Sequence, residues 1–173
     1  MGAKIFITGF MGSGKTFWGK IWAKENHLKF FDLDEQIEKK LGQSVAKIFE
    51  KKGEEYFREM ERYVLRKFSQ KNNFILACGG GTPCFFDNLI WMNEEGITVY
   101  LQSPPKEILD RIINETIERP LLKKLNQSEL LFFIEQKLKE REPFYKQAKH
   151  ILYTNLITID SLSEIISKVN KQA

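Results

Sequence analysis

Cysteine and histidine are scarce in this 173-residue chain, with Cys78, Cys84, His27 and His150 the whole complement. A structural zinc site needs four ligands at characteristic spacing, and a small secreted scaffold needs more thiols, so both classes are excluded. The two thiols read as idle or buried groups in a reducing compartment. Long apolar runs are missing as well. The longest, residues 74–78 and 130–134, hold five residues each, against about 20 for a membrane-spanning helix. Near the N-terminus the apolar residues 5–7 give way at once to a glycine-rich loop, so no secretory leader is expected. These absences predict a cytoplasmic protein with no membrane partner.

Arginine is the other rarity: six, against 21 lysines. A guanidinium fork grips a planar carboxylate or phosphate with two parallel bonds, which an ammonium cannot do. Each arginine of so lysine-rich a chain therefore merits its own reading. The net charge is +4, but the lysine pairs 39–40, 51–52 and 123–124 lie among acids. Without a basic stripe interleaved with aromatics, no nucleic-acid partner is expected.

What is present suits a single globular domain spanning residues 1–173, with 42% hydrophobic and 29% charged residues. Short apolar segments at 4–8, 29–32, 73–78, 97–102 and 150–153 read as strands. Between them run amphipathic stretches. Residues 15–26 place Phe17, Trp18, Ile21 and Trp22 on one helical face. Residues 54–69 gather Tyr56, Phe57, Met60, Tyr63, Val64 and Phe68 within one arc. Two further helical patterns cover 127–149 and 161–170. Strands alternating with helices predict an α/β fold, a parallel sheet covered on both faces. Residues 115–126, which contain Arg119-Pro120, read as a mobile lid. No large apolar face is evident, and a monomer is expected. Ligands of such sheets bind beyond the carboxyl ends of the strands.

Directly after the first strand stands Gly9-Phe10-Met11-Gly12-Ser13-Gly14-Lys15-Thr16, which satisfies G-x-x-x-x-G-K-[ST] in its required strand-to-helix context. Glycines at 12 and 14 flank Ser13 and let backbone N–H groups turn toward phosphates at the positive end of the following helix. Lys15 would reach the β- and γ-phosphates, and the Thr16 hydroxyl would ligate Mg²⁺. This is a nucleoside triphosphate site.

The acceptor must be sought after the second and third strands. Strand two ends in Asp32-Leu33-Asp34, two carboxylates at the sheet edge. One reading is a cap for a helix over 35–41. The other sets Asp32 on a metal-bound water and Asp34 on a substrate hydroxyl whose proton it helps remove. On the 54–69 helix Arg58 borders the apolar arc, with Glu61 one turn on to hold its guanidinium. Arg62 and Arg66 point further toward solvent. After strand three comes Cys78-Gly79-Gly80-Gly81-Thr82, where a ligand can approach bare backbone.

Taken in order, GFMGSGKT, D-x-D, Phe57-Arg58…Glu61, the triple glycine, Arg119-Pro120-Leu121-Leu122 and Arg141…Tyr145…Ala148 resemble the shikimate kinases over about residues 4–155. The resemblance implies a three-layer P-loop kinase fold with strand order 2-3-1-4-5 and a lid. It implies transfer of the ATP γ-phosphoryl group to the 3-hydroxyl of shikimate, in the chorismate route to aromatic amino acids. Residue by residue, it implies Gly12, Ser13, Gly14, Lys15 and Thr16 at the nucleotide, with Thr16 and Asp32 (through water) at magnesium. Asp34, Arg58, Gly79, Gly80, Gly81 and Arg141 match the acid-binding positions. Arg119 matches the lid arginine, which with Lys15 and Asp34 completes the catalytic set, and Arg111 the arginine that stacks on adenine. The stretch Tyr153-Thr154-Asn155 departs from the family's basic, proline-containing loop. The competing readings are a kinase for another polyol acid such as gluconate, and a non-enzymatic P-loop switch module. Against the second stands the absence of an N-K-x-D tetrapeptide.

Overall fold

The computed structural model describes residues 2–114 and 125–172 of the chain. Five strands form one sheet: β1 (Lys4–Thr8), β2 (Lys29–Asp32), β3 (Phe74–Ala77), β4 (Ile97–Gln102) and β5 (His150–Tyr153). Their order is β2-β3-β1-β4-β5, and every pairing is parallel. β1 lies at the centre, where Ile5 pairs with Ile75 on one side and Ile97 on the other. A strand covered on both faces must be apolar throughout, and Ile5, Phe6 and Ile7 are all fully buried.

Alternation along β1 feeds two cores. Ile5 and Ile7 face Trp22 and Leu162 of α1 (Lys15–Glu25) and α7 (Ser161–Gln172). Phe6 points the other way, toward Leu33, Ile37, Phe57, Leu65 and Met92. These come from α2 (Leu33–Leu41), α3 (Val45–Arg66) and α4 (Asn88–Glu95). A third cluster, with Phe10, Tyr100, Ile134, Leu138 and Tyr145, seats α5 (Pro105–Asn114) and α6 (Gln127–Tyr145) near the carboxyl end of β4.

Caps decide where these helices begin. Asp32 accepts from the backbone N–H of Asp34 to start α2. Asn126 and Glu129 form a reciprocal capping box at the start of α6. Several boundaries differ from the expectation. The 54–69 helix begins earlier, at Val45, and bends at Gly53, whose φ of 79° no helical residue adopts. Its last turn tightens into a 3₁₀ segment, Lys67–Gln70. The expected helix over 127–149 stops at Tyr145 because the chain must turn into β5; the N–H of Lys149 bonds to Thr98 Oγ1 instead of continuing the spiral. The expected strand 73–78 loses one residue at each end. Phe17 and Tyr63, expected on buried faces, are 63% and 46% exposed, and Gly19 and Leu65 are buried instead. Among the described residues no helix is long and apolar enough to cross a membrane.

Candidate active site

The loop between β1 and α1 carries two left-handed glycines, Gly12 (φ 75°) and Gly14 (φ 86°). Gly14 is the N-cap of α1, and no side chain caps that helix end. Its first-turn N–H groups thus present a positive end to an anion. Lys15 Nζ folds back over the loop and donates to the carbonyl oxygens of Gly9 (2.9 Å) and Phe10 (2.8 Å). Ser13 Oγ is buried with no hydrogen-bond partner, an orphan that an incoming phosphate oxygen would satisfy.

Thr16 Oγ1 donates to Asp32 Oδ2 at 3.0 Å, while Asp32 Oδ1 accepts the Asp34 N–H at 3.1 Å. The capping reading of Asp32 therefore holds, for a helix that starts at Leu33, and its other oxygen faces the P-loop hydroxyl. A hydroxyl and a carboxylate side by side suit a hard cation. Among the described residues no three His, Cys, Asp or Glu side chains gather as a metal cage. A cation here would draw its remaining ligands from phosphate and water, as magnesium does.

The triple glycine after β3 is where the other predicted residues meet. A methyl group on Gly79 would stand 3.1 Å from Asp34 Oδ1 and 3.0 Å from Glu61 Oε1. One on Gly80 would stand 3.4 Å from Arg141 Nη1 and 3.5 Å from Met11 N. One on Gly81 would stand 2.5 Å from Arg58 Nη2. Three consecutive Cα atoms span at most about 7 Å. Asp34, Arg58, Arg141 and the phosphate loop therefore all lie within contact distance of one three-residue run.

The Arg58 fork is built to hold its orientation. Nη1 donates to Glu61 Oε2 (2.9 Å), while Nε and Nη2 both donate to Glu54 Oε1 (3.2 and 3.0 Å). The rings of Phe85 and Phe57 pack on it, at 4.2 and 5.1 Å from Cζ. Glu61 is fully buried and accepts a second bond, 2.6 Å from Thr82 Oγ1. Burial pushes its carboxyl up, while Arg58 and Thr82 pull the other way. Arg141 lies over the Phe10 ring at 5.7 Å. One turn further on, the buried Tyr145 hydroxyl donates to the Gly80 carbonyl, which ties the glycine run to the helix that carries Arg141.

Asp34 has the chemistry of a proton acceptor. Its Oδ1 is buried without a partner. Burial, chiefly, pushes its carboxyl up from 3.8 to about 6, with Asp32 and Glu61 adding to the effect and Lys15 and Arg58 opposing it. A carboxylate poised there is ionised at neutral pH yet basic enough to take a proton.

Arg111 stands on the far side of the phosphate loop. Its Nη1 donates to Gly12 O (3.2 Å) and Ser103 Oγ (3.3 Å), and its Nη2 to Glu107 Oε2 (3.1 Å). Thr154, at the end of β5, donates to the same Glu107 oxygen. Arg119 and residues 115–124 of the expected lid lie outside the described residues. Sequence reasoning missed Glu54, Phe85 and the bond from Thr82. Helical i,i+4 spacing from Arg58 would have flagged Glu54; nothing in the sequence singles out Phe85.

The geometry can be set beside known proteins. The shikimate kinase family profile matches residues 11–171. A shikimate kinase of Bacteroides fragilis is 43% identical over 148 residues, 86% of this chain and 83% of the relative. The crystal structure of shikimate kinase from Bacteroides thetaiotaomicron superimposes with a TM-score of 0.91 at 36% identity, covering 99% of both chains. Shikimate kinase from Acinetobacter baumannii, solved in complex with shikimate, gives 0.81 at 34% identity over 97% of this chain and 92% of that one. With the phosphate loop, Asp34 and the two arginines meeting at one glycine run, a match of this extent leaves one assignment: the chain belongs to the shikimate kinase family.

Proposed function

We propose that this protein transfers the γ-phosphoryl group of ATP to the 3-hydroxyl of shikimate, giving shikimate 3-phosphate and ADP. The observation that carries the reading is the convergence of two guanidinium groups, a poised carboxylate and the phosphate loop on the run Gly79–Gly81. Arg58 and Arg141 clamp the acceptor's carboxylate. That grip aims the hydroxyl at phosphorus and converts a bimolecular encounter into an oriented one. Three of the five Arg58 N–H donors are engaged by Glu54 and Glu61, which leaves two for the acid.

Asp34 accepts the hydroxyl's proton as the oxygen bonds to the γ-phosphorus and the bond to the bridging oxygen of ADP breaks. Little covalent help is needed for such a transfer; charge neutralisation and in-line placement dominate. Lys15 and the N-terminus of α1 hold the β- and γ-phosphates, and Gly12, Ser13 and Gly14 line them. Thr16 and, through water, Asp32 would hold Mg²⁺, which neutralises phosphate charge when bound. Arg111 is assigned to the adenine ring. Arg119 is assigned to the migrating phosphoryl group on the sequence resemblance alone. The same reading makes the protein one domain with a lid, a cytoplasmic monomer acting on two small molecules.

The test is ATP-dependent ADP release measured with shikimate, gluconate and AMP as acceptors. The expected kcat/KM for shikimate exceeds the other two by about 10²-fold or more, because a site built around specific polar contacts rejects ligands that leave them unpaired. Preference for gluconate, or ATP turnover indifferent to all three acids, would overturn the reading.

A further inference from the structure

The two arginines that the site leaves unused converge on one carboxylate. Arg66 Nη2 donates to Asp87 Oδ1 at 2.6 Å, and Arg62 Nη2 lies 3.2 Å from the same oxygen. Each guanidinium is backed by a ring, Arg66 by Trp91 at 4.4 Å and Arg62 by Phe86 at 5.1 Å. Arg66, expected toward solvent, keeps only 25% of its side chain exposed. One exposed ion pair contributes little, but here two ring-backed forks act on one carboxylate of the short stretch 85–87.

That stretch needs holding. Phe86 has a φ of 52°, left-handed backbone that a bulky L residue rarely adopts. The residue is 55% exposed, so burial does not account for the conformation. The neighbouring Phe85 does. Its ring lies 4.2 Å from Arg58 Cζ, closer than those of Phe57 or Phe49. Asn88, fully buried, ties the stretch back to the glycine run: its N–H bonds to Phe85 O and its Nδ2 to Thr82 O. The stretch thus rests on the acid clamp at one end and is fastened at the other to α3, the helix that carries the clamp.

We propose that Arg62, Arg66 and Asp87 are positioning residues for the acceptor's carboxylate. By fixing Asp87 they press Phe85 onto the Arg58 guanidinium and set the plane in which its two remaining N–H groups point. They act through Phe85 and not on the reacting atoms. The inference rests on the assignment of Arg58 to the acceptor carboxylate.

Steady-state kinetics of Asp87→Ala, Phe85→Ala and the double variant test it. Each single change is expected to raise the KM for shikimate about three- to tenfold, the scale of one partly desolvated cation–π contact. The KM for ATP and kcat should stay within about twofold. The double variant should be no worse than Phe85→Ala alone, because both changes break one route. Asp87→Glu, which keeps the charge, should recover part of the loss. Should Asp87→Ala fold poorly, Arg62→Gln gives the same readout from a side chain 46% exposed. An unchanged shikimate KM, losses that multiply in the double variant, or an equal rise in ATP KM would overturn the proposal. A wild-type protein that leaves shikimate untouched would overturn the functional reading and this inference together.

Discussion

Replacing Asp34 by asparagine is expected to make the fold more stable at neutral pH while removing most of the activity. The carboxyl titrates near 3.8 in the unfolded chain and at about 6 in the folded one. Between those values the folded state binds the extra proton, so folding is favoured most below 3.8 and loses stability as pH rises through about 6. At pH 8 the ionised side chain must be carried into a place that disfavours it. Each pH unit between the two values corresponds to about 1.4 kcal/mol, which sets an upper bound of about 3 kcal/mol. Asp34 as a whole stays partly exposed although its Oδ1 is buried, so a penalty of about 1–2 kcal/mol is the realistic scale. Asparagine keeps the shape and carries no charge. Urea denaturation of both proteins at pH 4, 6 and 8 should show the variant ahead at pH 8 and the gap closing toward pH 4. In the same variant kcat should fall about 10²- to 10⁴-fold, the usual weight of a positioned general base. Wild-type kcat/KM should decline on the acid side with a midpoint near 6. A stability difference that is flat across pH, or largest at pH 4, would refute the reasoning.

Three further outcomes follow from individual contacts. Arg58→Ala should raise the shikimate KM about 10²-fold or more while leaving ATP binding nearly intact; equal losses in both would remove Arg58 from the acid site. Gly81→Ala places a methyl group 2.5 Å from Arg58 Nη2 and must displace the fork, so the shikimate KM should rise about tenfold with normal ATP affinity; an unaltered KM contradicts the packing. Thr82→Val removes the hydroxyl that donates to buried Glu61 at 2.6 Å. That should destabilise the fold by about 1–3 kcal/mol in denaturant titration, and an unchanged midpoint would show that Glu61 finds another donor.

The fold was legible wherever periodicity and punctuation agreed. β1, β2, β4 and β5 begin and end where the short apolar segments do, because a glycine, polar or charged residue stands at or next to each end. The bend at Gly53 was not legible: a lone glycine in a helical pattern looks like any tolerated one, and only the backbone reveals its left-handed φ. α4 was missed because its eight residues form a weakly patterned segment. In the site, the P-loop, D-x-D and triple glycine are local in sequence and were read directly. Arg58 and Arg141, 83 positions apart, were joined through the family resemblance, since no local pattern relates them. Of the supporting contacts, the Glu61 hold on Arg58 was read from its spacing, and the others escaped. Thr82 on Glu61, Phe85 on Arg58 and Tyr145 on Gly80 are all tertiary, and each residue type alone is ordinary.

The central claim is that one small acid is held by two guanidinium groups with its hydroxyl turned to Asp34 at the mouth of the phosphate loop. A crystal structure of the protein with shikimate and ADP tests it most directly. The account predicts the shikimate carboxylate within hydrogen-bond reach of both Arg58 and Arg141, and a ring hydroxyl on Asp34. A carboxylate bound by neither arginine, or an acid lodged away from Gly79–Gly81, would contradict it.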